Sequence, residues 1–204
     1  MAKKVKCDYL QRVASLVEEA YGTDKATTVM AAAWTRYMEL LEENEDDPKA
    51  YWIHTRERIY PAISLFDGLL AAGVERQEAA DFVVEYYHKR SEKSAVMVKK
   101  LVSLPGLYKH IPSLFSKLTL KMFGEKSGFQ YKLYDTPKNE MKIDMLLCPY
   151  FENCKKYGCP EIARGFCEAD DICYGNMHPK LIWGRTQTLA KGGDRCDFNI
   201  KVKE

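Results

Sequence analysis

The stretch LIWGRTQTLAKGGDRCDFNIKV, residues 181–202, decides the fold of this chain. Apolar and polar side chains alternate on both sides of a turn, and a period of two is typical of a half-buried strand. Every second residue from 181 to 189 shares one face, and every second residue from 196 to 202 does the same. The glycine pair at 192–193 supplies the turn between them. The stretch therefore predicts an antiparallel hairpin.

The same alternation occurs upstream, in residues 129–133 and 141–147, with a loop at 135–139 between them. These residues predict a second hairpin, so we expect an antiparallel sheet of about four strands. Between the two hairpins, residues 148–174 carry a helical pattern with Pro160 at a first-turn position. The sheet is therefore predicted to contain a helical insert.

The first 125 residues have apolar side chains at helical spacing. Predicted helices cover residues 8–21, ended by Gly22, and residues 24–43. Asp47-Pro48 opens a third helix that extends to about residue 73, and Pro61 either kinks it or begins a new segment. A further helix starts near residue 75, and a short one covers residues 111–123.

The period of the pattern changes from about 3.6 to 2 near residue 126. We therefore predict an α+β fold, with N-terminal helices packed on a C-terminal antiparallel sheet. Because neither half has an obvious linker at its edge, residues 1–204 are predicted to form a single domain. Its helical part is 1–125, and 126–204 hold the sheet and the cysteine-rich helical insert.

The charge of the chain argues against two classes of partner. Thirty-one basic and 29 acidic residues give a net charge of +2, which offers no electrostatic case for nucleic acid. Apolar stretches are short and interrupted, so no membrane span or signal peptide is predicted. We expect a cytoplasmic protein that binds a small-molecule substrate, and the sequence assigns no oligomeric state.

Six of the seven cysteines lie between residues 148 and 196. Thiols stay reduced in the cytoplasm, so catalysis or metal binding is favoured over a disulfide framework. The intervals between these cysteines lack the two-residue spacing typical of zinc sites. The sequence therefore predicts neither a metal nor another cofactor, with a metalloprotein as the lesser alternative.

A thiol and a carboxylate share one face of the predicted helix in the insert. Cys167 and Asp170 lie at i and i+3, beside an apolar stripe. Such a pair can act as a nucleophile and a proton-transfer group, provided that a cation offsets the carboxylate. The alternative is that Cys167 is a small buried side chain and Asp170 a surface residue.

Arg185 is the predicted cation. It falls in register with Trp183 and Leu189, so its side chain should point inward, where a guanidinium requires an anion. That anion is either a ligand carboxylate or, as the structural alternative, Asp170 or Asp194.

Several motifs resemble the L-2-amino-thiazoline-4-carboxylic acid hydrolase family. They are CPYFENC at 148–154, GCPE at 158–161, FCEAD at 166–170 and RTQTLAKGGDRCDF at 185–198, with the helical stretch at 59–82 also similar. The resemblance implies a hydrolase that opens a cyclic isothiourea, in which water cleaves the ring carbon–sulfur bond to give N-carbamoyl-cysteine. The motif positions that carry over are Cys167, Asp170, Arg185, Thr188, Asp194, Cys196 and Asp197.

The resemblance leads to a hypothesis for each site residue. Arg185 would hold a substrate carboxylate, and Cys167 or a water activated by Asp170 would attack the ring carbon. Thr188 and Asp194 would orient the polar end of the substrate, and Cys196 would line the pocket. The string GDRCDF at 193–198 is also similar to the end of hydrocarbon-binding vinyl-reductase-type domains. That similarity implies the alternative function, a non-catalytic small-molecule-binding or sensing module.

Overall fold

The computed structural model describes residues 5–203 and confirms the α+β fold. The helices are α1 (Asp8–Tyr21), α2 (Thr23–Glu43), α3 (Trp52–His54), α4 (Tyr60–Ala71), α5 (Arg76–Val102), α6 (Ile111–Met122), α7 (Pro149–Lys156) and α8 (Ala163–Tyr174). The strands are β1 (Gln130–Leu133), β2 (Glu140–Leu147), β3 (Leu181–Gly184) and β4 (Cys196–Val202). In the described part of the chain, no helix is both long and apolar enough to cross a membrane.

The segment before α4 departs from regular helix. A 3₁₀ turn at Lys49–Tyr51 leads into the single turn α3, and a π-helical turn at Thr55–Ile59 follows. Pro61 lies in the first turn of α4, where its missing N–H costs no hydrogen bond. Pro61 therefore begins a new segment. The π-helical turn, which the sequence did not predict, changes the direction of the side chains that precede it.

The larger of two clusters of buried apolar residues joins the helices to the sheet. Its buried members come from α1, α2, α4 and α5, and also from β2, α7, α8 and β4. Helices α2 and α4 pack closely because Gly68 has no side chain: a Cβ there would lie 2.6 Å from the carbonyl oxygen of Val29. This cluster contains residues from both the helical part and the sheet, and the single domain stays a prediction.

The sheet is antiparallel, with the strand order β1-β2-β4-β3. Ile143 lies opposite Phe198 and Met145 opposite Cys196, so alternate residues of β2 and β4 face the helices together. This result confirms the two hairpins and the faces that the alternation predicted.

The first arm of the last hairpin was predicted to reach residue 189, and this was wrong: β3 ends at Gly184. The carboxylate of Asp197 accepts hydrogen bonds from the backbone N–H groups of Thr186 (2.9 Å) and Gln187 (2.8 Å). Those N–H groups are therefore unavailable to a strand ladder, and the chain leaves the sheet.

Candidate active site

A cavity of about 340 Å³ lies between the inner face of the sheet and helices α5, α6 and α8. Most of its wall is apolar. The strands contribute Met141, Ile143, Met145, Phe198 and Trp183, and the helices contribute Tyr87, Phe115, Phe166 and Tyr174. Arg58, Asp170, Arg185 and several cysteines interrupt this apolar wall. An apolar cavity with a few converging polar groups is the usual form of a small-molecule site.

Two cysteines from different elements meet at this cavity. Cys167 on α8 and Cys196 on β4 both line it, and their thiols are hydrogen-bonded to each other. The sulfur of Cys196 also accepts the backbone N–H of Leu189 at 3.3 Å. These two hydrogen bonds lower the pKa of Cys196, whereas the bond to Cys196 and burial raise the pKa of Cys167. The raised pKa of Cys167 disfavours a thiolate there, and with it a role as the nucleophile.

Asp170 lies one turn further along α8. Its side chain keeps 43 % of its surface open, but that surface faces the cavity and its apolar walls. The carboxylate is therefore poorly solvated, and burial raises the pKa of Asp170 to about 7, against the opposing charges of Arg185 and Arg58. A carboxylate with this pKa can both accept and return a proton near neutral pH.

Arg185 points inward as the sequence predicted, with 3 % of its side chain exposed. Its Nη2 donates to the carboxylate of Asp171 and, at 2.7 Å, to the carbonyl oxygen of Cys167. Asp171 also accepts a hydrogen bond from the indole of Trp183 at 2.9 Å. The carboxylate nearest to Arg185 is thus Asp171, which the sequence did not predict, and the expected Asp170 forms a second, longer ion pair with it. Arg185 Nη1 lies 3.7 Å from Asp170 and has no hydrogen-bond partner within residues 5–203.

A second guanidinium reaches the cavity from the π-helical turn. Arg58 Nη1 donates to the hydroxyl of Tyr150 at 3.2 Å and, across residues 5–203, forms no ion pair with a carboxylate. The hydroxyl of Tyr150 lies 3.0 Å from Nδ1 of His54, whose Nε2 lies 2.8 Å from the carbonyl oxygen of Met122. A carbonyl only accepts, so Nε2 of His54 carries the proton and Tyr150 donates to Nδ1.

This His54–Tyr150–Arg58 chain is ordered by its hydrogen bonds, with His54 and Tyr150 buried and Arg58 partly buried. His54 is fully buried, and burial lowers its pKa, so the ring is neutral. Burial also raises the pKa of Tyr150 to about 12, which keeps its hydroxyl protonated. The chain fixes the position of the Arg58 guanidinium while leaving its charge without a protein anion.

Two residues that the sequence assigned to substrate binding lie away from this cavity. Asp194 has 75 % of its side chain exposed and pairs with the adjacent Arg195. It belongs to the solvated turn before β4 and lines neither cavity, so its role in orienting the substrate stays a prediction that this position does not favour. Thr188 is buried, but it lines a smaller, polar cavity of about 190 Å³ beside Arg185 and Lys191.

The cysteines form no arrangement that resembles a metal centre. All seven have free thiols. Within the described range, no three His, Cys, Asp or Glu side chains are grouped as ligands for a metal ion. Cys154 and Cys159 are fully buried and hydrogen-bonded to each other in the core, so they serve packing.

The model of the L-2-amino-thiazoline-4-carboxylic acid hydrolase family matches residues 52–200, which is more than half of the chain. The chain belongs to this family. The resemblance that the motifs indicated is thereby confirmed. A comparison with curated proteins finds no match.

The family match begins at α3 and ends in β4, so it includes every residue that lines the cavity. Cys167, Asp170, Arg185 and Cys196 meet there, as the sequence predicted. Sequence reasoning missed Arg58 and its two partners. A charged residue just before an almost wholly apolar helix was the available signal, because such a residue borders the core.

Proposed function

We propose that this member of the family is a hydrolase that opens a small cyclic amidine or thioimidate carrying a carboxylate, as in 2-amino-thiazoline-4-carboxylate. One observation carries the proposal: an apolar cavity presents a guanidinium without a protein anion beside a carboxylate whose pKa is near 7. An anionic substrate supplies the missing partner of Arg58, and Asp170 supplies the proton transfer that hydrolysis requires.

Arg58, and not Arg185, is the group that we assign to the substrate carboxylate. Arg185 is already bound to Asp171, whereas the guanidinium of Arg58 has, among residues 5–203, a hydrogen bond to a neutral hydroxyl and none to a carboxylate. Its planar fork can bind both oxygens of a carboxylate. The unpartnered Nη1 of Arg185 then lies close to Asp170, where it can donate to the ring nitrogen that gains negative charge as the water adds to the carbon–nitrogen double bond.

Water activated by Asp170 is the nucleophile that this arrangement favours. Asp170 accepts a proton as the water oxygen bonds to the ring carbon between sulfur and nitrogen. The carbon–sulfur bond then breaks, the departing sulfur takes the proton from Asp170, and the ring nitrogen takes the second proton of the water. The products are a thiol and a carbamoyl group on nitrogen, so one water is consumed and the carboxylate is restored. The alternative, attack by a cysteine, requires a thiolate, which the raised pKa of Cys167 disfavours at that residue.

The test replaces the carboxylate and keeps its shape. Asp170→Asn should reduce kcat for hydrolysis of 2-amino-thiazoline-4-carboxylate by about 10²–10⁴-fold, measured by chromatography of N-carbamoyl-cysteine. In the unchanged protein, kcat should rise with pH through about 7, as Asp170 loses its proton.

Glu168→Gln is the matched control. Glu168 lies on the same helix but pairs with His88 and Lys191 outside the cavity, so kcat should be retained. Full turnover by Asp170→Asn would exclude Asp170 as the general base. Failure of the unchanged protein to hydrolyse the ring would overturn the substrate assignment. The binding-module alternative predicts that outcome, and family membership does not favour it.

A further inference from the structure

The cavity continues beyond the charged residues to an aromatic trio, Phe115, Tyr174 and Trp183. The ring of Tyr174 lies 4.8 Å from that of Phe115 and 5.3 Å from that of Trp183. All three side chains line the cavity and are only partly buried. They come from α6, α8 and β3, three separate elements that close this end of the cavity.

Helix α8 sets the order of the groups along the cavity. Phe166, Asp170 and Tyr174 are four residues apart on one face, and each interval spans about 6 Å at roughly 1.5 Å per residue. The ring of Phe166 packs on Tyr150, which holds Arg58. The free guanidinium therefore lies at one end, the proton-transfer carboxylate in the middle and the aromatic trio at the other end.

The volume of the cavity exceeds what the family's named substrate requires. A cavity of about 150 Å³ is enough for benzene. The compound 2-amino-thiazoline-4-carboxylate has about 1.5 times as many non-hydrogen atoms as benzene, so it needs about 225 Å³ by the same ratio. The cavity here measures about 340 Å³. With the carboxylate on Arg58 and the ring at Asp170, the space that is left lies against the aromatic trio.

We infer that the substrate carries an apolar group, alkyl or aryl, on the side of its ring away from the carboxylate, and that Phe115, Tyr174 and Trp183 receive it. This inference rests on the proposed function and specifies its substrate class: cyclic isothiourea carboxylates substituted on the exocyclic nitrogen. That nitrogen is attached to the ring carbon that water attacks, so a substituent on it points past Asp170 toward the trio. The reaction balances as before, with the substituent retained on the carbamoyl nitrogen of the product.

Calorimetric titration of the full chain with straight-chain carboxylates, from acetate to octanoate, tests the inference without turnover. The dissociation constant should fall about fourfold for each added methylene as the chain extends along the apolar wall. Phe115→Ala should weaken binding of octanoate and leave that of acetate unchanged. Leu118→Ala, on the exposed side of the same helix, is the matched control and should leave the whole series unchanged.

The two proposals fail in different ways. Equal affinities for acetate and octanoate in the unchanged protein would overturn this inference, whether or not Phe115→Ala folds. Loss of affinity by the same factor for every member in Arg58→Gln, with the chain-length trend intact, would support the order of groups along the cavity. A second experiment compares hydrolysis rates. The value of kcat/KM should be at least about tenfold higher for the cyclic isothiourea carboxylate with a phenyl group on the exocyclic nitrogen than for the unsubstituted compound. Hydrolysis of neither ring by a protein that shows the binding trend would overturn the proposed function.

Discussion

Removal of the Tyr150 hydroxyl tests whether the His54–Tyr150–Arg58 chain positions the substrate. In Tyr150→Phe, Nδ1 of the fully buried His54 loses its donor, and the guanidinium of Arg58 loses its hydrogen bond to the Tyr150 hydroxyl. An unsatisfied buried acceptor costs about 1–3 kcal/mol of unfolding free energy. For a chain of this length, that loss lowers Tm by about 2–12 °C, at roughly 2–4 °C per kcal/mol. A released Arg58 should also raise KM more than it lowers kcat, since it binds the substrate and takes no part in proton transfer.

Thermal melts and steady-state kinetics on one preparation measure both effects. Tyr60→Phe is the matched control, because its hydroxyl donates to Asp47 at 2.8 Å in the helical part, away from the cavity. It should lower Tm and leave KM unchanged. An unaltered Tm in Tyr150→Phe would refute the argument from the buried acceptor. A lowered Tm with an unaltered KM would show that Tyr150 serves stability and does not position Arg58.

Three further predictions concern the framework of the site. Folding raises the pKa of Asp170 to about 7, above its unfolded value near 4, so the contribution of this group to stability falls as pH rises between those values. Asp170→Asn should therefore raise Tm at pH 8. In a series of melts at lower pH, this gain should disappear near pH 4. Gly165→Val should lower the free energy of unfolding, measured in urea, by about 1–3 kcal/mol. Even a Cβ at Gly165 would lie 3.1 Å from the Cα of Val84 and would push α8 away from α5. An unchanged urea midpoint would contradict this close packing. Truncation after Leu189 should abolish cooperative unfolding, since it removes β4 from between β2 and β3, and a normal melt of the shortened chain would show that the sheet is dispensable.

The site shows where sequence patterns stop being informative. Alternation placed Cys196 and Arg185 on the inner face, and helical spacing placed Cys167 beside Asp170, because each of these relations is local. The packing of α8 on β3 decides which carboxylate binds Arg185, and the candidates lie 14 and 15 residues from it in the sequence. Asp171 binds Arg185, and the indole of Trp183 donates a hydrogen bond to the same carboxylate. Periodicity reports which face is buried and carries no information on such pairings.

The sequence by itself determined the fold class, the two hairpins and the family, since a change of period and a set of short motifs are enough for all three. It also placed the ends of α1 and α2 to within a residue. Only the tertiary structure decided the substrate-facing cation. Arg58 lies 92 residues from Tyr150, and a π-helical turn directs it inward. Such a turn depends on how α3 and α4 pack, and hydrogen bonds between distant residues leave no period in the sequence.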